Sequence, residues 1–130
     1  LVEQIQKGFE LVKNKLTGRV LYFIWQSPDM VAGSDNFIHY LLNWLGLDNE
    51  IGYRTRYPEL NEYELRELSP DYVFLSSEPY PFKEKHIIRY QQLFPKAEIL
   101  LVDGEMFSWY GSRLAHAAEY FMSLPVSRRR

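Results

Sequence analysis

Aromatic and acidic residues are concentrated between residues 103 and 113, directly after the apolar run 99–102. Aromatic rings give a large contact area at a small entropic cost, and carboxylates can meet the polar rim of a ligand or transfer protons. The segment therefore predicts a ligand-contacting loop. Its candidate residues are Asp103, Glu105, Phe107, Trp109 and Tyr110.

Two other apolar runs, 20–25 and 72–75, lead into loops of the same character. In open α/β sheets, ligands bind outside the carboxyl ends of the strands, where such loops meet. We therefore expect one shared binding face, although each ring could instead pack against the end of the sheet. The further candidates are Trp25, Asp29 and Met30 in the first loop, Glu78, Tyr80 and Phe82 in the second, and Tyr53 and Tyr57 beside the middle connection.

Hydrophobic periodicity predicts the elements that position these loops. Continuous apolar runs predict strands at 20–25, 72–75 and 97–102, and helical spacing predicts helices at 2–16, 37–45, 61–68, 83–94 and 114–124. The helix at 37–45 is expected to begin at a Ser34 or Asp35 cap and to end at Gly46. Asn61 and Glu64 have the pattern of a capping box. Residues 26–34 are expected to form a loop, and 47–60 an irregular segment with a short strand near Tyr53.

Strands that alternate with helices predict βαβ units and parallel pairing. The expected fold is α/β: a three-layer α/β/α lobe with a mainly parallel central sheet. Residues 1–18 are expected to form an amphipathic helix, and residues 19–130 the lobe that carries the binding face.

Several classes of site are excluded by what the sequence lacks. It has no cysteine, which removes disulfides, thiolate catalysis and zinc–thiolate sites. No G-x-G-x-x-G and no P-loop motif is present. The three histidines, His39, His86 and His116, fall on different predicted helices without metal-binding spacing, so neither a metal nor a cofactor is predicted. A net charge of -2 gives no electrostatic case for nucleic acid as a partner.

A series of short motifs, in order along the chain, resembles a known family. The motifs are Trp25 with 28–33, the helix end at Leu45-Gly46, and the segments 56–60, 68–73, 78–82 and 109–113. Together they resemble the C-terminal lobe of the helical-backbone (class III) periplasmic substrate-binding proteins. Those proteins deliver cobalamin, iron-siderophores, haem or metals to ABC importers, and the cobalamin-binding members are the most similar.

The resemblance implies a ligand cleft between two lobes joined by a long helix, of which the segment 1–18 would be part. It implies an aromatic contact at Tyr57 and an acidic contact at Glu105. Met30 stands where the family has an aromatic residue, which keeps the apolar contact but loses a stacking ring. The full set of predicted ligand-binding residues is Trp25, Met30, Tyr57, Tyr80, Glu105 and Trp109, with no catalytic or metal-binding residue.

The family also docks each lobe on arginines of the ABC permease through a surface glutamate. That position falls nearest Tyr63, so Glu62 or Glu64 is the expected docking residue. The resemblance further implies a periplasmic protein or a cell-surface lipoprotein and an N-terminal lobe that is missing from this chain. An isolated lobe would expose apolar surface and is expected to self-associate.

The sequence leaves three functions open. The first is a non-enzymatic solute-binding protein for cobalamin or a related corrinoid or iron-chelate ligand. The second is a small α/β enzyme that would use the strand-end carboxylates of Asp103 or Glu105. The third is a stand-alone protein-interaction module with an exposed aromatic surface. The absence of a catalytic motif and the resemblance together favour the first.

Overall fold

In the computed structural model, residues 16–107 of the chain are described. The predicted helix at 114–124 and most of the one at 2–16 lie outside them. Leu16 is buried in the core, and its backbone N–H donates to the carbonyl of Leu45 at 2.8 Å.

The described residues form a mixed six-stranded sheet. Its strands are β1 (Gly18–Trp25), β2 (Asp29–Val31), β3 (Leu47–Asn49), β4 (Glu59–Leu60), β5 (Tyr72–Ser76) and β6 (Glu98–Val102). The order is β4-β2-β1-β5-β6, and β3 pairs with the first residues of β1. The pairings of β1 with β3, β1 with β5 and β5 with β6 are parallel, whereas β2 runs antiparallel to β1 and β4. The prediction of a mainly parallel sheet is therefore confirmed.

Three α-helices connect these strands: α1 (Phe37–Leu45), α2 (Glu62–Arg66) and α3 (Ile87–Leu93). The N-cap predicted for α1, Ser34 or Asp35, is wrong, because Asn36 is the N-cap residue and its side chain accepts from the His39 N–H at 2.8 Å. Gly46 ends α1 in the left-handed region, as predicted, with φ of 100°.

The predicted capping box of α2 is confirmed by two reciprocal hydrogen bonds. The Asn61 side chain accepts from Glu64 N–H at 2.8 Å, and the Glu64 carboxylate accepts from Asn61 N–H at 3.0 Å. The helix ends at Arg66, two residues before the predicted end at Leu68.

The core lies on both faces of the sheet, because successive side chains of β1 point to opposite sides. Val20 and Tyr22 pack with the buried leucines of α1 on one face. Leu21 and Phe23 pack with Tyr90 of α3 on the other. The described part of the chain is thus a three-layer α/β/α unit, as the sequence predicts.

Three connections differ from the predictions. Residues 26–34 contain β2, which turns back on β1 as a hairpin with a register shift between Phe23 and Trp25. Residues 47–60 contain β3 and β4, whereas Tyr53 lies in a turn. The helix predicted at 83–94 begins as a 3₁₀ turn, Glu84–His86, in which the His86 N–H donates to the Lys83 carbonyl at 2.9 Å.

Candidate functional site

The ring of Trp25 lies at the carboxyl end of β1 and meets the ring of Tyr80 edge to face. Their centroids are 5.1 Å apart and their planes are inclined by 75°. Trp25 remains 37% exposed. The loop after β5 is tied to this position, because the Tyr80 N–H donates to the carbonyl of Ile24 at 3.3 Å. We call this the Trp25–Tyr80 pair.

The orientation of the Tyr80 ring is fixed by its surroundings. Its hydroxyl accepts from the Gln26 side-chain amide at 3.1 Å and lies 3.4 Å from His86 Nε2. Nδ1 of His86 accepts from Lys83 N–H at 2.8 Å, which holds the ring with Nε2 towards the Tyr80 hydroxyl. Phe82 also packs against the Tyr80 ring, with centroids 4.7 Å apart.

Met30 and Tyr57 lie on the side of β1 that is away from β5. Met30 is in β2, and Tyr57 precedes β4. Met30 is half-buried and stands opposite Trp25 in the hairpin and opposite Glu59 in β4. Tyr57 is 41% exposed and precedes Pro58, whose carbonyl accepts from Val31 N–H at 3.1 Å. The hairpin therefore places Met30 beside Trp25. Tyr57 lies nearer the middle of the sheet, opposite Ala32, and is level with Tyr22 of β1 rather than with Trp25.

Glu105 lies on the other side of β5, in the 3₁₀ turn Gly104–Phe107 that follows β6. The turn is held next to the loop after β5, because Gly104 N–H donates to Ser77 Oγ at 2.9 Å. The Asp103 carboxylate accepts from Glu105 N–H at 3.0 Å and so shapes the same turn. The predicted contact Trp109 lies outside the described residues.

Two of the candidate rings belong to the core. Phe82 is 5% exposed and packs edge to face on Tyr90, with centroids 5.9 Å apart. Phe107 is 1% exposed and lies 4.9 Å from the ring of Tyr22. Both rings are part of the hydrophobic core, so neither is available to a ligand.

Asp29 was grouped in the sequence with the ligand-facing residues, but it is buried. Its carboxylate forms two hydrogen bonds with the guanidinium of Arg89, at 2.9 and 2.7 Å, and accepts from the Tyr90 hydroxyl at 2.7 Å. The hydrogen bond to Asp29 raises the pKa of Arg89, while burial and the same carboxylate raise the pKa of Tyr90. Sequence reasoning missed this cluster because the adjacent Arg89-Tyr90 pair has no distinctive motif.

Residues 16–107 contain no group of three or more His, Asp or Glu side chains placed to hold a metal ion. His39, for example, lies between the side chains of Asn43 and Asn49, each at 3.1 Å. Over the same residues, no helix has the length and apolar character needed to cross a membrane.

Solved structures with this arrangement are known, although no family model and no curated protein matches the sequence. A possible iron-binding (periplasmic solute-binding) protein from Staphylococcus epidermidis superimposes with a TM-score of 0.72 at 17% identity, over 91% of this chain and 49% of its own. The vitamin B12 binding protein BtuF of Vibrio cholerae gives 0.70 at 13% identity, over 92% and 48%. The heme binding protein HutB of Vibrio cholerae gives 0.69 at 19% identity, over 95% and 52%.

The chain has the fold of one lobe of a periplasmic binding protein. It spans about half the length of each of these solved structures. Within the lobe, the carboxyl ends of the strands carry the Trp25–Tyr80 pair, Met30 and Glu105.

The two glutamates predicted to dock on a permease differ in their environment within the lobe. Glu64 is occupied by the capping box and by Arg54, whose guanidinium lies 3.2 Å from its carboxylate. Glu62 is exposed and reaches Arg66 one helical turn later, at 3.4 Å. Such an exposed pair contributes little to stability and is readily exchanged for another partner.

The lobe also has an open groove of about 540 Å³ at the opposite end of the sheet. Arg19 and Asp71, near the amino ends of β1 and β5, line it together with the segment 93–97 after α3. Ligands of α/β sheets bind at the carboxyl ends of strands, so the groove is not the expected binding face.

Proposed function

We propose that the chain is the C-terminal lobe of the solute-binding component of an ABC importer, and that it is not an enzyme. The ligand we propose is cobalamin or a related corrinoid or iron-chelate compound. The fold supports the class of protein. The ligands of the similar proteins, iron, vitamin B12 and heme, support the class of ligand.

One observation carries the proposal: an exposed tryptophan is held against a tyrosine at the end of the central strand. An exposed indole ring in that position suits a large ligand with a planar or macrocyclic face. The polar groups around the pair, the Gln26 amide and the Tyr80 hydroxyl, fix its geometry before a ligand arrives. Pre-organised contacts of this kind cost little entropy on binding.

The lobe supplies one side of a cleft, and we propose that an N-terminal lobe outside this chain supplies the other. A ligand held by one lobe alone would lose about half of its contact surface and its enclosure, so its affinity would be low. The proposed setting is the periplasm, or the cell surface if the protein is lipid-anchored. The proposed second partner is an ABC permease, contacted through Glu62.

The test is a titration of the full-length, two-lobed protein with cyanocobalamin, haemin and the ferric siderophore ferrioxamine B, followed by tryptophan fluorescence. We expect saturable quenching at micromolar or lower concentration by one of the three, because Trp25 lies on the proposed binding face. N-acetyltryptophanamide, titrated in parallel with each ligand, reports the inner-filter and collisional contributions.

If none of the three ligands quenches the fluorescence beyond this control, the ligand class is wrong. A protein-interaction module with an exposed aromatic surface would then be the favoured function. Sedimentation velocity on the same full-length protein would test whether it self-associates.

A further inference from the structure

The turn that joins β1 to β2 is held by polar contacts from outside the hairpin. It begins at Gln26, passes through Ser27 in the left-handed region with φ of 58°, and ends at Asp29. A positive φ is costly for a residue other than glycine, so this backbone needs support from its surroundings.

The support comes from two neighbouring residues of α3. Arg89 binds the Asp29 carboxylate with both terminal nitrogens, at 2.9 and 2.7 Å. The Tyr90 hydroxyl donates to the same carboxylate at 2.7 Å and lies 3.2 Å from the Gln26 amide oxygen. Asp29 is only 7% exposed, and charge-assisted bidentate pairs of this kind have a strict geometry. Both ends of the turn are thereby fixed to one helix.

The same network continues to the binding face. The Gln26 amide nitrogen donates to the Tyr80 hydroxyl at 3.1 Å, and the Tyr80 ring is in contact with Trp25. Trp25 directly precedes Gln26, and Met30 directly follows Asp29. A shift of the turn must therefore move the residues at both ends of the hairpin.

We infer that Arg89 and Tyr90 are positioning residues for ligand binding, and that they act through Asp29 and Gln26 on the Trp25–Tyr80 pair. The positioning role stands on the contacts alone, while its effect on ligand affinity rests on the proposed function. Two of the five N–H donors of Arg89 bind Asp29, and a double-mutant cycle tests whether the side chain also contacts the ligand.

The first arm of the test needs no ligand. Full-length protein labelled with 5-fluorotryptophan gives a ¹⁹F resonance for Trp25, which the Trp25→Phe variant assigns. Tyr90→Phe, Asp29→Asn and Arg89→Gln are expected to shift or broaden that resonance. Arg66→Gln, which removes an exposed arginine of α2 from its pair with Glu62, is the matched control and should leave it unchanged.

An unchanged Trp25 resonance in all three variants would overturn the inference, provided that circular dichroism shows them folded. Arg89→Gln leaves a buried carboxylate with fewer partners and is the variant most prone to unfold. Tyr90→Phe and Asp29→Asn change one polar group each, so they carry the test if Arg89→Gln does not fold.

The second arm is a double-mutant cycle on affinity, measured with each of cyanocobalamin, haemin and ferrioxamine B. Arg89→Gln is expected to weaken binding about 5- to 30-fold in the wild-type background and to have no effect in the Asp29→Asn background. Additive effects would show that Arg89 contacts the ligand directly and would contradict the positioning role. If no ligand binds but the Trp25 resonance moves, the proposed function fails and the positioning of the pair stands.

Discussion

At the scale of single residues, burial separates the aromatic side chains near the strand ends into two groups. Phe82 and Phe107 close the hydrophobic layers, whereas Trp25 and Tyr57 keep 37% and 41% of their surface exposed. An exposed large ring in a fixed orientation is suited to recognition, because its contact costs little entropy. We therefore propose that Trp25 and its partner Tyr80 make the main ligand contact of this lobe.

Replacement of either ring should weaken ligand binding in the full-length protein. We expect Trp25→Ala and Tyr80→Ala each to lower the affinity about 10-fold or more, the size typical of an aromatic anchor in an interface. Isothermal titration calorimetry with the ligand that quenches fluorescence measures the change. Tyr40→Ala is the control, since Tyr40 is an exposed tyrosine of α1 that is not among the candidate contact residues. Equal affinities in all four proteins would remove the Trp25–Tyr80 pair from the site.

The sequence predicted which rings follow the strands but not which of them are exposed. Phe82 and Tyr80 are two residues apart in one loop, yet the first is buried under α3 and the second is half-buried against Trp25. Asp29 and Arg89 are 60 residues apart, and only the folded chain brings them together. Such contacts depend on tertiary packing, which a local pattern does not encode.

At the scale of elements, the long apolar runs were predictable and the short strands were not. β1, β5 and β6 each contain a continuous apolar run, and the buried leucines of α1 have helical spacing. β2 and β4 have three and two residues, too few for alternation to be recognised. They belong to the proposed binding face, because β2 carries Met30 and β4 leads into α2.

Substitutions in α2 can distinguish the proposed docking role of Glu62 from the structural role of Glu64. Glu62→Gln should weaken binding to the permease without changing ligand affinity or stability, because its pair with Arg66 is exposed. Glu64→Gln should lower the free energy of unfolding by about 0.5–1 kcal/mol, because it loses the ion pair with Arg54 and weakens the capping box. Chemical denaturation and co-purification with the permease measure the two effects. A loss of docking confined to Glu64→Gln would reverse the assignment.

At the scale of the whole molecule, the two ends of the sheet differ in character. The carboxyl ends of the strands carry the Trp25–Tyr80 pair, while the amino ends carry an open groove lined partly by charged residues. The chain spans about half of each similar structure, so the first of these ends is proposed to face a second lobe across a cleft. The three-layer fold was predictable from the alternation of strands and helices. The location of the groove was not, since it depends on how the ends of α3 and the strands meet.

The most direct test of the binding face is hydrogen exchange, measured by mass spectrometry on the full-length protein with and without saturating cyanocobalamin, haemin or ferrioxamine B. The account predicts that the ligand that binds slows exchange in peptides covering 24–31 and 77–82. Peptides covering 66–71 and 93–97, at the opposite groove, should exchange at the same rate in both states and serve as the internal control. Protection confined to the groove peptides would contradict the account.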